Sequence, residues 1–329
     1  MNVQVNKIDD LNLELTIGIE AADYAEIERK KLAQRRKTAD FKGFRKGNVP
    51  ASLIKTVYGE QCLVEAVNSV IADALDKHIS ENNLHILGEP LGSEKQPEVE
   101  WVDGGDFTFI FDLALSPEVN FEVEKSDTVP SYTVTVAAKD KTSMAESLKK
   151  YYEEKKEEKS DEDIDKEVSE RLEAQYKNEA EWRLNKDIRD YFVQKAGLQL
   201  PEAFLKRWLL VANNGKVTAE DIEKEFDGFA ADFKWQLVRG YLMNKFGLKI
   251  EDNDIHEAAK AFVTYQYAMY GLSNVPEEMI SEAVVNVLHD QKQIERLVEQ
   301  VEDQKVIARL KEEITLKSTK ISSAKFREL

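Results

Sequence analysis

An α+β fold is predicted for this chain: an N-terminal α+β domain carrying a helix-loop-helix tip, followed by an elongated all-α domain with helical arms. Three patterns predict it. Two stretches alternate apolar with mostly polar residues at period two, namely Leu11, Leu13, Leu15, Ile17 and Ile19, and later Phe107, Phe109, Phe111, Leu113 and Leu115. Between them, Leu53, Val57, Val64, Val67, Ile71, Leu75 and Ile79 recur at spacings of three, four or seven, the apolar stripe of an amphipathic helix. From residue 141 onward only helical periods are found.

Taken in order, each alternating stretch is a strand with one buried face, and the two rows can pack against the helix between them, so residues 1–115 form one domain. Residues 116–140 are an extended linker, polar and partly acidic at first, then alternating at Tyr132, Val134 and Val136. Residues 141–329 form the helical domain. Ile164, Val168, Leu172, Leu184, Ile188 and Phe192 mark one long helix, with Gly197 and Pro201 as stop signals. Asn213, Asn214 and Gly215 make a turn, a helix follows around Ile222, Phe226, Phe233 and Tyr241, and two more span 252–271 and 276–316. Within 149–167, nine acids and six bases mingle, which fits a solvated helix or spacer better than a charge-reading site.

Charge distribution narrows the function more than composition does. A net charge of -17 opposes binding of polyanions by the molecule as a whole. Yet residues 29–46 hold nine bases (Arg29, Lys30, Lys31, Arg35, Arg36, Lys37, Lys42, Arg45 and Lys46) against one acid, Asp40, a local +8. Cys62 is the one cysteine, so no internal disulfide forms. Neither an apolar leader core nor a run of about 18 apolar residues is present, and the expected location is the cytoplasm with no membrane partner.

The basic run ends in Gly43-Phe44-Arg45-Lys46-Gly47-Asn48-Val49-Pro50, between two helical patterns. Gly43 and Gly47 permit backbone angles that other residues resist, and Pro50 suits the start of a helix. Such a tip holds Phe44, Arg45 and Lys46 outward, offering apolar area, a bidentate guanidinium and a point charge to a docking partner. The bases behind it, Arg29, Lys30, Arg35, Arg36, Lys37 and Lys42, could line a phosphate backbone, which predicts salt-sensitive docking. The alternative is an ordinary solvated helix with Phe44 tucked into the core.

A second candidate surface lies in 258–272, where Phe262, Tyr265, Tyr267, Met269 and Tyr270 give more apolar character than one stripe holds. Aromatics and Met suit promiscuous contacts with unfolded chains, although such an excess favours a helix packed between two neighbours. Catalytic arrangements are not found. His78, His85, His256 and His289 are scattered, no phosphate loop exists, and no catalytic residue, metal or cofactor is expected.

Gly43-Phe44-Arg45-Lys46-Gly47 followed by Val49-Pro50 resembles the ribosome-binding signature of trigger factor, the bacterial nascent-chain chaperone family. The Leu87-Gly88-Glu89-Pro90 turn, the 200–208 segment Leu-Pro-Glu-Ala-Phe-Leu-Lys-Arg-Trp and the 232–237 segment Asp-Phe-Lys-Trp-Gln-Leu are similar to that family too, so nearly the whole chain is covered. The resemblance implies an ATP-independent chaperone of nascent or unfolded polypeptides. Phe44, Arg45 and Lys46 would contact protein and RNA of the large ribosomal subunit beside the exit tunnel, with Arg45 on an acidic side chain. It leaves open a weak homodimer. One departure is large: the family commonly inserts a peptidyl-prolyl isomerase domain of the FK506-binding type, and the mostly charged residues between Val136 and Ile164 leave no room for it. No enzymatic activity is therefore expected. The rival readings are an isomerase or foldase and an RNA-binding regulator.

Overall fold

Both alternating stretches become strands and the stripe between them becomes a helix in the computed structural model, which describes residues 1–272 and 274–329. The first elements are β1 (Asn2–Lys7), β2 (Asn12–Ile19), α1 (Ala21–Thr38), α2 (Ala51–Glu81), β3 (Leu91–Gly92) and β4 (Phe107–Ala114). Next come β5 (Thr128–Thr135), α3 (Ala138–Lys155), α4 (Asp161–Ala196), α5 (Glu202–Ala212) and α6 (Ala219–Lys245). The last are α7 (Asp252–Met269), α8 (Glu277–His289), α9 (Gln291–Glu313), β6 (Thr315–Ser322) and α10 (Ser323–Phe326). Two compact units result, one of Met1–Glu118 with Gln199–Ala230, the other of Val119–Leu198 with Ala231–Leu329.

In the first unit a four-stranded antiparallel sheet has the order β1-β2-β4-β3, with Leu15 opposite Phe111 and Ile17 opposite Phe109. Leu13, Leu15, Ile17 and Ile19 are buried with Phe107 and Leu113 against Val67, Val70, Ile71 and Ala74 of α2. Each of the larger of these side chains contributes about 1.5–3 kcal/mol when fully buried. Val57 departs from the predicted stripe and is exposed, because the buried face of α2 there runs through Ile54 instead. Residues 199–230 join this unit through α5: the Arg207 guanidinium donates to Asp112 on β4 at 2.7 Å and to the Gly92 carbonyl at 3.0 Å. Trp208 lies against Gly88, where φ is +70° and a Cβ would come within 2.8 Å of the indole, so glycine is required there on two counts.

The second unit is organised on α4. Its predicted residues Ile164, Val168, Leu172, Leu184, Ile188 and Phe192 are all buried, and Tyr176 and Ala180 complete the stripe. Ser160 caps its start and Gly197, at φ 59°, ends it. The segment 116–140 is tied down: Phe121 is buried, stacks on Phe192 at 5.7 Å, and accepts bonds from the Tyr241 hydroxyl (2.8 Å) and Lys245 (2.7 Å) through its carbonyl. Burial opposes ionisation of Asp127, but donation from Lys195, the Glu124 N–H and Tyr191 outweighs it and holds this carboxyl below its usual range.

Two expectations for the C-terminal part are corrected. Residues 276–316 are two helices rather than one, since the Asp290 side chain accepts the N–H groups of Lys292 (2.9 Å) and Gln293 (3.4 Å) and so starts α9 afresh. Residues after 141 are also not all helical, because β6 pairs in parallel with β5 from Thr128↔Thr315 to Thr135↔Ser322. Its two strongly apolar residues, Leu316 and Ile321, stand an odd number of positions apart, so no period-two row announces the strand. The charged 149–167 run forms the end of α3, the 156–160 turn and the start of α4. There Glu167 accepts from Lys159 (2.7 Å) and the Tyr152 hydroxyl (2.8 Å), which lowers its pKa to about 2.

Candidate docking loop and exposed helix end

The 39–50 loop is held at its base and open at its tip. Ala39, Val49 and Ile54 are buried, packed by Leu32, Phe41, Leu53 and Tyr58 into a small core between α1 and α2. Arg36 donates from Nε to the Val49 carbonyl at 2.7 Å, while the Phe41 ring meets Tyr58 edge-on at 6.2 Å. Two tight turns then shape the tip, with Phe44 N–H on the Phe41 carbonyl (3.0 Å) and Asn48 N–H on the Arg45 carbonyl (2.9 Å). Gly43 and Gly47 have φ of +95° and +83°, and a Cβ at either would touch nothing within 4 Å. Backbone conformation alone therefore calls for glycine at these positions.

The tip residues Phe44, Arg45 and Lys46 are exposed, Phe44 at 43%. The alternative of a Phe44 packed into the core does not occur. Lys46 stands 3.9 Å from Asp40, and Arg45 and Lys42 have no ion pair among the described residues. The basic helix divides into two sets. Arg35 pairs with Glu65 at 2.9 Å, joined by Lys31 at 3.5 Å, and this guanidinium holds the Glu65 carboxyl below its usual range. Lys30 pairs with Glu26 at 2.8 Å. Arg36 thus braces the loop and Arg35 ties α1 to α2, whereas Arg29 and Lys37 are exposed and without an ion pair among the described residues.

On α7 the five predicted residues separate by face. Ala258, Ala259 and Val263 are buried against Ile280 and Val284 of α8 and Leu297 and Val301 of α9, and Phe262 and Tyr267 pack half-buried onto that core. Tyr265, Met269 and Tyr270 instead face solvent at 65%, 70% and 84%, with Leu272 beside them at 54%. The expected packing against two neighbours is found, with α8 and α9, but it covers one face of α7 and leaves Tyr265, Met269 and Tyr270 open. Tyr265 and Met269 stand one helical turn apart at i and i+4, and Tyr270 and Leu272 follow just past the end of α7.

Comparison with known proteins adds the lineage. Residues 1–151 match the family described as bacterial trigger factor protein, and residues 180–329 match the probable trigger factor C-terminal domain. The chain belongs to the trigger factor family. Relatives in that family include a trigger factor of Acetivibrio thermocellus, 35% identical over 141 residues covering 43% of this chain and 32% of the relative. Another, from Marinomonas sp., is 29% identical over 150 residues, covering 46% and 33%. The chain thus spans about a third of the length of the curated relatives it matches. A solved structure of the trigger factor chaperone, studied for promiscuous substrate recognition in folding and assembly, superposes with a TM-score of 0.53 at 13% identity, covering 94% of this chain and 99% of that one. Between the two matched segments, residues 152–179 form the end of α3, a turn and the first half of α4.

Sequence reasoning missed the residues that hold the loop in place. Val49 and Ile54 are ordinary aliphatic residues, and only their spacing around Pro50 could have marked them as a base. No described helix is long and apolar enough to cross a membrane, and no group of three or more His, Cys, Asp or Glu among the described residues could hold a metal ion.

Proposed function

We propose that this protein is a cytoplasmic, ribosome-associated, ATP-independent chaperone that docks through Phe44, Arg45 and Lys46 and holds nascent or unfolded chains on the open face of α7. One observation carries the reading: an aromatic and two cations stand exposed on a loop whose base is buried and hydrogen-bonded, so they meet a partner already ordered. A preordered tip loses little conformational entropy on binding. Phe44 supplies apolar area, Arg45 grips a carboxylate or phosphate, and Lys46, Lys42, Lys37 and Arg29 add attraction to a phosphate backbone.

Holding an unfolded chain needs no directional chemistry. Burial of client side chains at about 25 cal/mol per Å² against Tyr265, Met269, Tyr270 and Leu272 is independent of client sequence, and the unbranched Met side chain adapts to different shapes. The cycle proposed here contains no bond-breaking step. Its test is co-sedimentation of the full chain with ribosomes. Replacing Phe44, Arg45 and Lys46 together by Ala abolishes pelleting while the circular dichroism spectrum stays unchanged; undiminished pelleting sinks the docking assignment.

A further inference from the structure

Glu28 is a mostly buried glutamate whose carboxylate opens on a groove and has no partner. It sits one turn after Tyr24 on the inward side of α1, is 8% exposed, and makes no hydrogen bond or ion pair with any described residue. It lines a 410 Å³ groove between α1 and α2, walled by Leu32, Ala33 and Ile54. Three exposed cations also line the groove, and two are committed elsewhere: Arg36 to the Val49 carbonyl at 2.7 Å, Lys55 to Asp103 at 2.5 Å. Arg29 is the third. Burial, reinforced by the charge of Asp103 and offset by Lys55, pushes the Glu28 pKa up.

An ionised carboxylate in that position costs the free protein stability unless something neutralises it. Alanines at 25, 33 and 51 leave open the space above it, whereas larger side chains would fill it. We propose that the groove receives a lysine or arginine side chain of the protein against which the 43–47 loop docks. Its methylene stem lies along Leu32 and Ile54 while the cationic head meets the Glu28 carboxylate. A nucleic acid offers no such cation, so this contact is to protein even where neighbouring contacts are to phosphate. The inference rests on the docking reading, and it adds a second, inward-directed contact of opposite charge to the basic tip.

Glu28→Gln separates this role from others because it moves two quantities in opposite directions. An acid whose folded pKa is raised destabilises the fold above its unfolded pKa, so the neutral variant is expected to melt at a higher temperature at pH 7.5. Its ribosome affinity is expected to fall at least about tenfold, since a buried cation is left without its counter-charge. General electrostatics predicts the reverse, because removing a negative charge beside a basic run strengthens attraction to RNA. A direct probe uses the free full chain: N-acetyl-argininamide should shift amide resonances of residues 25–36 in the wild type and not in Glu28→Gln, and N-acetyl-norleucinamide should shift neither. Equal or tighter pelleting by Glu28→Gln, a lowered melting temperature, or equal shifts in both chains overturns the proposal. If the Phe44, Arg45 and Lys46 variant loses pelleting while Glu28→Gln keeps it, the groove proposal alone fails; if the triple variant still pellets, the docking reading fails first.

Discussion

The 43–47 loop and the end of α7 both expose large apolar side chains, and they do so by opposite means. On the loop a lone aromatic, Phe44, is 43% exposed, flanked by cations and fixed by two turns and a buried base. On α7 the exposed Tyr265, Met269 and Tyr270 carry no cation among them, on a helix whose other face packs against α8 and α9. Directional charge around a rigid anchor selects one partner in one orientation, whereas a broad apolar face accepts many. The proposed division between docking and holding follows from that contrast.

The largest test of the contrast is a double dissociation. Alanine at Phe44, Arg45 and Lys46 is expected to weaken ribosome pelleting about 100-fold or more and leave suppression of client aggregation intact. Alanine at Tyr265, Met269 and Tyr270 should do the reverse, with light scattering of a denatured client as the readout. Loss of both activities in either variant would merge the two surfaces into one. Salt sharpens the difference next. If two phosphates are neutralised, raising salt from 50 to 200 mM weakens docking about tenfold, because the logarithm of affinity falls by about 0.7–0.9 per phosphate for each tenfold rise in salt. Client holding should barely change.

Smaller effects probe the supports. Gly43→Ala leaves its space open but forces a non-glycine residue to φ +95°, at about 1 kcal/mol, and a roughly fivefold loss of docking is expected by sedimentation. The smallest effect lies in the α3–α4 hairpin. Glu167 has a folded pKa of about 2, below its unfolded value, so it stabilises the hairpin turn above about pH 4.3 and that contribution is lost as pH falls through 2. Amide protection near Tyr152 and Glu167, taken relative to the intrinsic exchange rate at each pH, should fall over that window in the wild type, and Glu167→Gln should flatten the dependence.

Much of this was legible in the chain itself. The buried row Leu13 to Ile19, the partly buried row Phe107 to Leu113, the stripe of α4 and its Gly197 stop follow from period and capping, which are local properties. The loop tip was legible as well, since glycine spacing and a basic run are written in consecutive residues. Tertiary structure alone decided the remainder. Whether α7 has one packed face or two depends on how many helices reach it, and the strand at 315–322 exists because β5, distant in sequence, lies beside it. Glu28 is the sharpest case: a glutamate among lysines and arginines looks like surface charge, and only the fold of α1 against α2 covers most of it while leaving its carboxylate on a groove without a partner. Periodicity reports which face of an element is apolar, but the number, identity and distance of the neighbours on that face are set by contacts between residues far apart along the chain.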